Sequence, residues 1–511
     1  MTILHHHKDY DFMSNSTPPA FKTLAELKRS GYVSRSIKEE LRQNLITKLR
    51  AGERVFAGIL GYGETVIPDV ERAILSKHNM ILLGLRGQAK TRMARQMVEL
   101  LDEWMPIVAG SEMNDDPLAP LSRFARDLVQ EHGDNTPIAW VHRDERYAEK
   151  LATPDVSIAD LIGDVDPIKA ATLKLPYSDE RVIHYGIIPR SHRSIFVINE
   201  LPDLQARIQV SLFNILQEGD IQIRGFKLRL PLDIQFVFTA NPEDYTNRGS
   251  IVTPLKDRIE SQILTHYPKT IEIAEQITAQ EATLPDEQKK AVVAHPLAHT
   301  LIEQIAFEAR GSEYIDSKSG VSARLTISAF ENLYSSAERR AILKGEKSTH
   351  VRVADFWGII PSITGKVELV YEGEQEGPFK VAQILVGKAI RTQFVKFFPD
   401  PETFKRSAND SPYLKITEWF RTNNTLDIMN DLTNAAYEQA LYSVPGLFDL
   451  VKKHHPKASA QDQLFLMEFA LHGMAEFSLL SKYTLETGGT QFKDLFTSMF
   501  TMKPGRDEEE F

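Results

Sequence analysis

The chain has 511 residues, 42% hydrophobic and 25% charged, the balance of a folded globular protein with room for two to four units of roughly 100–200 residues each. It has no cysteine, which excludes disulfides, thiolate zinc sites and cysteine nucleophiles together. A formal net charge of -10 argues against broad nucleic-acid binding, no apolar run reaches the ~18 residues of a membrane helix, and no secretory pattern opens the chain, so the expected location is the cytoplasm.

Residues 1–35, with His5-His6-His7 and a polar Ser-Asn-Ser-Thr-Pro-Pro stretch, read as a mobile leader. Ser36 to Ala51 is patterned as a helix, Gly58 to Gly63 as a glycine-punctuated loop whose position suits contact with adenine, and Val70 to Leu75 as a helix. The stretch that organises the rest is Asn79 to Leu101. Met80-Ile81-Leu82-Leu83 has the apolar continuity of a strand buried on both faces, and after Lys90 the period turns helical, with Met93, Met97, Leu100 and Leu101 on one face. Between them, GLRGQAKT meets the phosphate-loop signature G-x-x-x-x-G-K-[ST] everywhere but at Ala89, where the second glycine would stand. Such a loop turns backbone N–H groups and a helix N-terminus toward phosphate oxygens, with Lys90 placed for the β and γ phosphates and the Thr91 hydroxyl for Mg2+.

Thr136 to Val141 reads as a second strand, and the charged run HRDERYAEK after it as a solvated surface. His184 and His192 lack a helical metal-ligand spacing and stay unassigned. The next strand, Ser194 to Ile198, ends at Asn199-Glu200. A carboxylate at a strand tip can polarise and orient an attacking water, which makes Glu200 a catalytic candidate, whereas Asn199 can accept a hydrogen bond from a Mg2+-bound water but brings no charge.

Ile208, Leu212, Ile215 and Leu216 mark an amphipathic helix that stops at Gly219. Ile221 to Leu230 alternates as a hairpin whose Arg224, Lys227 and Arg229 form a solvated face or, in a ring, could touch a threaded polymer. Asp233 to Asn241 is another buried strand, with Asn241 at its tip to hold water or the γ-phosphate; Thr253 to Arg258 is a proline-started segment ending in arginine; and Gln262 to Tyr267 is the last core strand. From Lys269 to about Val370 the pattern is helical, and Ser322 as N-cap puts Arg324 in a first turn, where the dipole disfavours a cation by about 0.3–1 kcal/mol. Residues 371–511 are also helical in pattern, with Leu464, Met467, Leu471 and Met474 as a core stripe, no metal constellation around His454-His455, and an acidic end from Arg506 to Phe511.

In that order, GLRGQAKT, VINE, FTAN, TPLKDR and GVSAR resemble the AAA+ ATPases of the MoxR and magnesium-chelatase I-subunit clade. Longer stretches, among them NELPDLQARIQVSLFNILQEGDIQIRGF, look like the bacterial group labelled magnesium-chelatase-like or sigma-54-interaction-domain ATPase, although the GAFTGA loop of true sigma-54 activators is missing. The resemblance is specific over residues 36–370 and implies an α/β fold: an AAA+ P-loop core with a parallel sheet between helices over 36–268, a helical lid over 269–370 and a helical C-terminal domain over 371–511. It implies ATP and Mg2+ as cofactors, with Gly84, Gly87, Gln88, Ala89, Lys90, Thr91 and Arg92 holding the nucleotide and Thr91 and Asn199 the metal. By the same resemblance Asn199 and Glu200 form the Walker B tip, Asn241 is sensor 1, Arg258 the arginine finger and Arg324 sensor 2. The family assembles as rings, commonly hexameric, with a partner carrying a von Willebrand factor A domain. The expected activity is ATP hydrolysis that remodels or assembles a partner protein. Asn199 keeps open a non-hydrolytic ATP-gated scaffold, and the basic hairpin a DNA-translocating ring.

Overall fold

A computed structural model describes residues 17–177, 179–223, 229–241, 251–404, 410–485 and 488–495. The histidines at 5–7, Arg224, Lys227 and the acidic end from Arg506 fall outside them. The chain divides into two units, Met1–His266 and Tyr267–Phe511. Among the described residues no helix is long and apolar enough to cross a membrane.

In the first unit, Ser36 caps α1 (Ile37–Arg50) by accepting from Glu39 N, and α2 (Val66–Leu75) leads to β1 (Met80–Leu83) and α3 (Lys90–Gln96). There follow β2 (Tyr147–Leu151), β3 (Ser194–Asn199), α4 (Ala206–Glu218), β4 (Ile234–Ala240), α5 (Thr253–Arg258) and β5 (Ser261–Leu264). The five strands pair in parallel in the order β5-β1-β4-β3-β2. Side chains alternate between the faces of a strand, so the continuous apolar runs supply two cores at once. Ile81, Leu83, Phe196, Ile198, Phe236 and Phe238 enter one, and Met80, Leu82, Ile195, Val197, Val237 and Ile263 the other. The fold is therefore the expected α/β phosphate-loop core, and α4 stops as expected at Gly219, which takes the left-handed conformation at φ 67.

Several expectations need correction. The strand read at Thr136 to Val141 forms at Ile138–His142, but it pairs antiparallel with Trp104–Val108 outside the central sheet. The charged run after it is a solvated surface only in part: Asp144 and Glu145 are exposed, but the run continues into β2, the edge of the sheet, where Glu149 is paired with Arg95 and accepts from Tyr147 Oη at 2.8 Å. Charged side chains are a usual guard of an exposed edge. Just before it, Arg146 is 1% exposed and grips the Glu40 carboxylate of α1 with two bonds of 2.7 Å. Arg146 also donates to Arg193 O at 2.9 and 3.1 Å, and Glu40 accepts from Asp102 N at 2.7 Å, so both buried charges are saturated with partners. Beside this lattice lies His192, whose Nδ1 accepts from Asp233 N at 3.0 Å and whose imidazole is pushed down to about 4 by burial. It is a neutral structural acceptor. Part of the stretch expected to be a leader is also built in: Leu24 and Leu27 are buried, and Leu24 N donates to Thr136 O at 3.0 Å.

The second unit contains α6 (Pro296–Arg310), α7 (Arg324–Leu343), α8 (Pro378–Phe397) and α9 (Ala460–Glu476). It also has an antiparallel sheet of β6 (Leu426–Met429), β7 (Ser481–Thr484) and β8 (Gly489–Lys493), in the order β6-β8-β7, where the sequence pattern suggested helix alone. One apolar cluster runs from Leu284 to Phe492, across the boundary expected at 370, and includes Met467, Leu471 and Met474 of the core stripe. Glu468 lies at its heart with no exposure, accepting from Val353 N at 2.7 Å, Ala354 N at 3.0 Å and Tyr437 Oη at 2.8 Å. Burial pushes this carboxyl up to about 7, and does the same to Glu303, which accepts from Thr278 Oγ1.

Removing one member of a buried ion pair leaves the other charge without compensation, at a cost of about 3–5 kcal/mol. Arg146→Leu should lower the unfolding free energy of the first unit by that amount in a urea titration followed by circular dichroism. A wild-type midpoint would show that Arg146 does not tie β2 to α1.

Candidate functional site at the strand tips

The phosphate loop leaves β1 at Gly84, whose N–H donates to Ala240 O at 3.1 Å. A Cβ here would collide with Thr265 Oγ1 and Gln88 Oε1, so the close approach of the loop to β5 requires glycine. Gly87 at φ 74 and Ala89 at φ 57, ψ 16 both lie in the left-handed region. Left-handed residues alternating along a loop turn successive N–H groups to one side, which is the geometry of an anion nest. Ala89 is thus a side chain in a glycine's conformation, and it stands at the N-cap of α3.

Lys90, 7% exposed, folds back over the loop and donates to Gly84 O, to Leu85 O at 3.1 Å and to Asn241 Oδ1 at 2.9 Å. Thr91 Oγ1 donates to Asn199 Oδ1 at 3.3 Å. Lys90, Thr91, Asn199 and Asn241, drawn from α3 and from the tips of β3 and β4, therefore form one contiguous polar group. Its donor set, two neutral oxygens at Thr91 and Asn199 beside a lysine, suits a metal that arrives with phosphate rather than one held alone. Among the described residues no group of three or more His, Asp or Glu could hold a metal ion.

Glu200 follows Asn199 directly and takes the left-handed conformation at φ 56, ψ 51, with its N–H donating to Thr239 Oγ1 at 3.2 Å. Non-glycine residues in this region cost of order 1–3 kcal/mol and gather at functional sites. Arg92, half-buried, lies in the first turn of α3.

Of the expected site residues, Arg258 is not part of this group, and Arg324 lies in the other unit. Arg258 ends α5, and its partners are Gln217 Oε1 at 3.0 Å, Pro254 O at 2.7 Å and the Phe213 ring, 5.1 Å below the guanidinium. Arg324 belongs to the second unit, where it is exposed and opens α7. That helix starts after Ala323 rather than after Ser322, yet the Ser322 hydroxyl still takes the Arg324 N–H at 3.1 Å.

Three further residues support the site without having stood out in the sequence. Thr239 Oγ1 donates to Asn199 Oδ1 at 3.1 Å and fixes the amide that Thr91 also uses. Thr265 Oγ1 donates to Gln88 Oε1 at 2.6 Å, and Tyr62 Oη donates to Gln88 O at 3.0 Å and His266 O at 2.8 Å. The available signal was a hydroxyl near the end of an otherwise apolar strand, as in FTAN and ILTH, and a tyrosine inside the glycine-punctuated loop.

No known family model matches the sequence. Among solved structures, the chain is similar to a candidate ATPase from Cytophaga hutchinsonii at 16% identity, covering 71% of this chain and 97% of that one with a TM-score of 0.28. It is similar to the BchI–BchD complex of magnesium chelatase at 17% identity, covering 63% and 98% with a TM-score of 0.31. NtrX from Brucella abortus matches at 13% identity, covering 68% and 66% with a TM-score of 0.37. Strand order and loop geometry carry the fold assignment by themselves.

Holding an L-residue in the left-handed region costs about 1–2 kcal/mol, and a β-branched side chain fits there far worse than alanine. Ala89→Val should therefore destabilise the first unit by a further ~1–3 kcal/mol in urea. Ala89→Gly should stay within about 1 kcal/mol of wild type, since relief of strain is offset by glycine's larger unfolded-state entropy. Equal midpoints for Val and Gly would contradict the left-handed turn at this residue.

Proposed function

We propose that the chain is a Mg2+-dependent ATPase of the AAA+ kind that works as a ring and remodels or assembles a partner protein. The observation that carries the ATPase reading is the hydrogen-bonded convergence of Lys90, Thr91, Asn199 and Asn241 beside a loop with left-handed residues at Gly87 and Ala89. Lys90 now rests on neutral oxygens, and phosphate oxygens would be stronger acceptors for its ammonium. The loop N–H groups and the start of α3 would bind the same phosphates. Thr91 and Asn199 would hold Mg2+, which supplies charge neutralisation on the phosphates when bound. Asn241 would orient the terminal phosphate or the attacking water, and Glu200 would take that water's proton as it adds.

The ring reading rests on Arg258 together with the family resemblance. Its guanidinium lies along α4, against Phe213 and Gln217, so the segment carrying it presents an arginine that is not consumed by the chain's own phosphate loop. A guanidinium stays protonated and can bridge two phosphate oxygens, which suits an arginine offered to a neighbouring subunit's nucleotide. Arg324, at the exposed start of α7, would contribute as a second cation, and the resemblance also favours a hexamer and a partner with a von Willebrand factor A domain. A second reading, the non-hydrolytic ATP-gated scaffold, is favoured by Asn199, which puts a dipole where a carboxylate would strengthen metal binding.

Glu200→Gln should retain ATP binding while turnover falls about 100- to 10,000-fold, the range for a positioned base. Equal loss of both would remove Glu200 from that role, and tight ATP binding by the wild type without turnover would favour the scaffold.

Mixing Lys90→Ala with Arg258→Ala should restore part of the ATPase activity lost by each, because a mixed ring can set an intact Arg258 beside an intact loop. An arginine finger contributes about 1,000- to 100,000-fold in rate, so the recovery stands well above background. Mixed rings without recovery would rule out action in trans.

A further inference from the structure

The second unit contains a cavity of about 520 Å3, bounded by α8, the segment Val353–Ile360 and the strands β7 and β8. That is the size of a small-molecule site. Its walls are apolar at Phe356, Trp357, Ile360 and Ile384. At its depth are two polar side chains, His472 and Thr490, which are 5% and 1% exposed. His472 Nε2 and Thr490 Oγ1 are both buried without a hydrogen-bond partner among the described residues. Buried polar atoms are nearly always paired, so each such atom calls for an explanation, and two lining one cavity share one. Burial keeps the imidazole in its neutral form, able to pair with an uncharged donor or acceptor.

The mouth has a different character. Arg391 is committed to Glu402 and Lys482 to Glu476, whereas Lys380 and Lys388 line the cavity with no ion-pair partner among the described residues, Lys380 exposed and Lys388 with its ammonium 5.9 Å from the Tyr314 ring. The uncommitted charge at the opening is therefore positive.

We propose that this cavity binds a small heteroaromatic carboxylate. Its ring sits between Trp357 and Ile384, a ring N–H is shared between His472 Nε2 and Thr490 Oγ1 as acceptors, and its acid group meets Lys380 and Lys388. An aliphatic acid would leave the two deep polar atoms unmet, and a cationic ligand would meet like charge at the mouth.

The test uses the full-length protein and indole-3-propionate as probe, with binding followed by calorimetry and by the thermal midpoint, and it requires no nucleotide. Saturable one-site binding with a raised midpoint is expected, together with about tenfold or greater weakening in Lys380→Glu/Lys388→Glu. Tryptamine, with the same ring and the opposite charge, should not compete. Thr490→Val should raise the midpoint of the unliganded protein, because it removes an unpaired hydroxyl, while weakening the probe about tenfold. Absence of saturable binding by the wild type, equal affinity for the double lysine variant, or competition by tryptamine would overturn the proposal. So would a Thr490→Val protein that is destabilised and binds the probe as wild type does.

Discussion

The site depends on one constraint, the parallel register of five strands. Parallel strands are joined only by crossovers, so each strand of this sheet leaves it through the same edge. Leu83 is opposite both Ala240 and Leu264, which makes Gly84, Asn241 and Thr265 neighbours just beyond the apolar runs. Phe238 is opposite Ile198, which brings Thr239 beside Asn199. A slip of one residue would turn every side chain of a strand to the other face and pull this cluster apart. Because both faces of β1, β3 and β4 are buried in separate apolar cores, such a slip is resisted along the whole strand.

What the sequence made legible follows the same logic. MILL, SIFVIN and IQFVFTA are continuous apolar runs because they are covered on two sides, and they were readable for that reason. YAEKL was not, since an edge strand is half-wetted and can carry Glu149 and Lys150. The apolar run at Ile138–His142 was visible as a strand, but periodicity says nothing about which sheet a strand joins. Arg146 was hidden for a different reason: its partner Glu40 is 106 residues away, and no local pattern tells a charge with a distant buried partner from one in water. The loop motif revealed Lys90 and Thr91, while Thr239, Thr265 and Tyr62 became visible only through the contacts that bring their hydroxyls to Asn199, Gln88 and the loop backbone.

Both units place a bidentate arginine–carboxylate pair in their interior, Arg146 with Glu40 in the first and Arg340 with Asp355 in the second. In each case the guanidinium also donates to a backbone carbonyl, of Arg193 and of His350 respectively, so one planar group fixes a carboxylate and a turn of chain together. Such pairs contribute little net stability compared with an apolar replacement, but they penalise every arrangement in which one partner is buried alone.

Glu468 and Glu303 contribute proton uptake to the folding of the second unit, set against proton release from His295, His299, His350, His454 and His472, which burial holds below the ordinary imidazole value. Each carboxyl is held near 7 in the native state against about 4.5 in the unfolded chain, so over that interval the native form binds protons that the unfolded form releases. The stability these two groups contribute is fully present below about 4.5 and is lost as the pH rises through 7, whereas buried His472, depressed from 6.5, acts in the opposite sense. His192 gives the first unit a stabilising contribution of that opposite sign, lost as the pH falls from 6.5 through about 4. At a weakly acidic pH, unfolding therefore exchanges hydrogen ions with the buffer, released by the glutamates and taken up by the histidines, and the heat measured for the transition includes the buffer's own enthalpy of protonation for the difference.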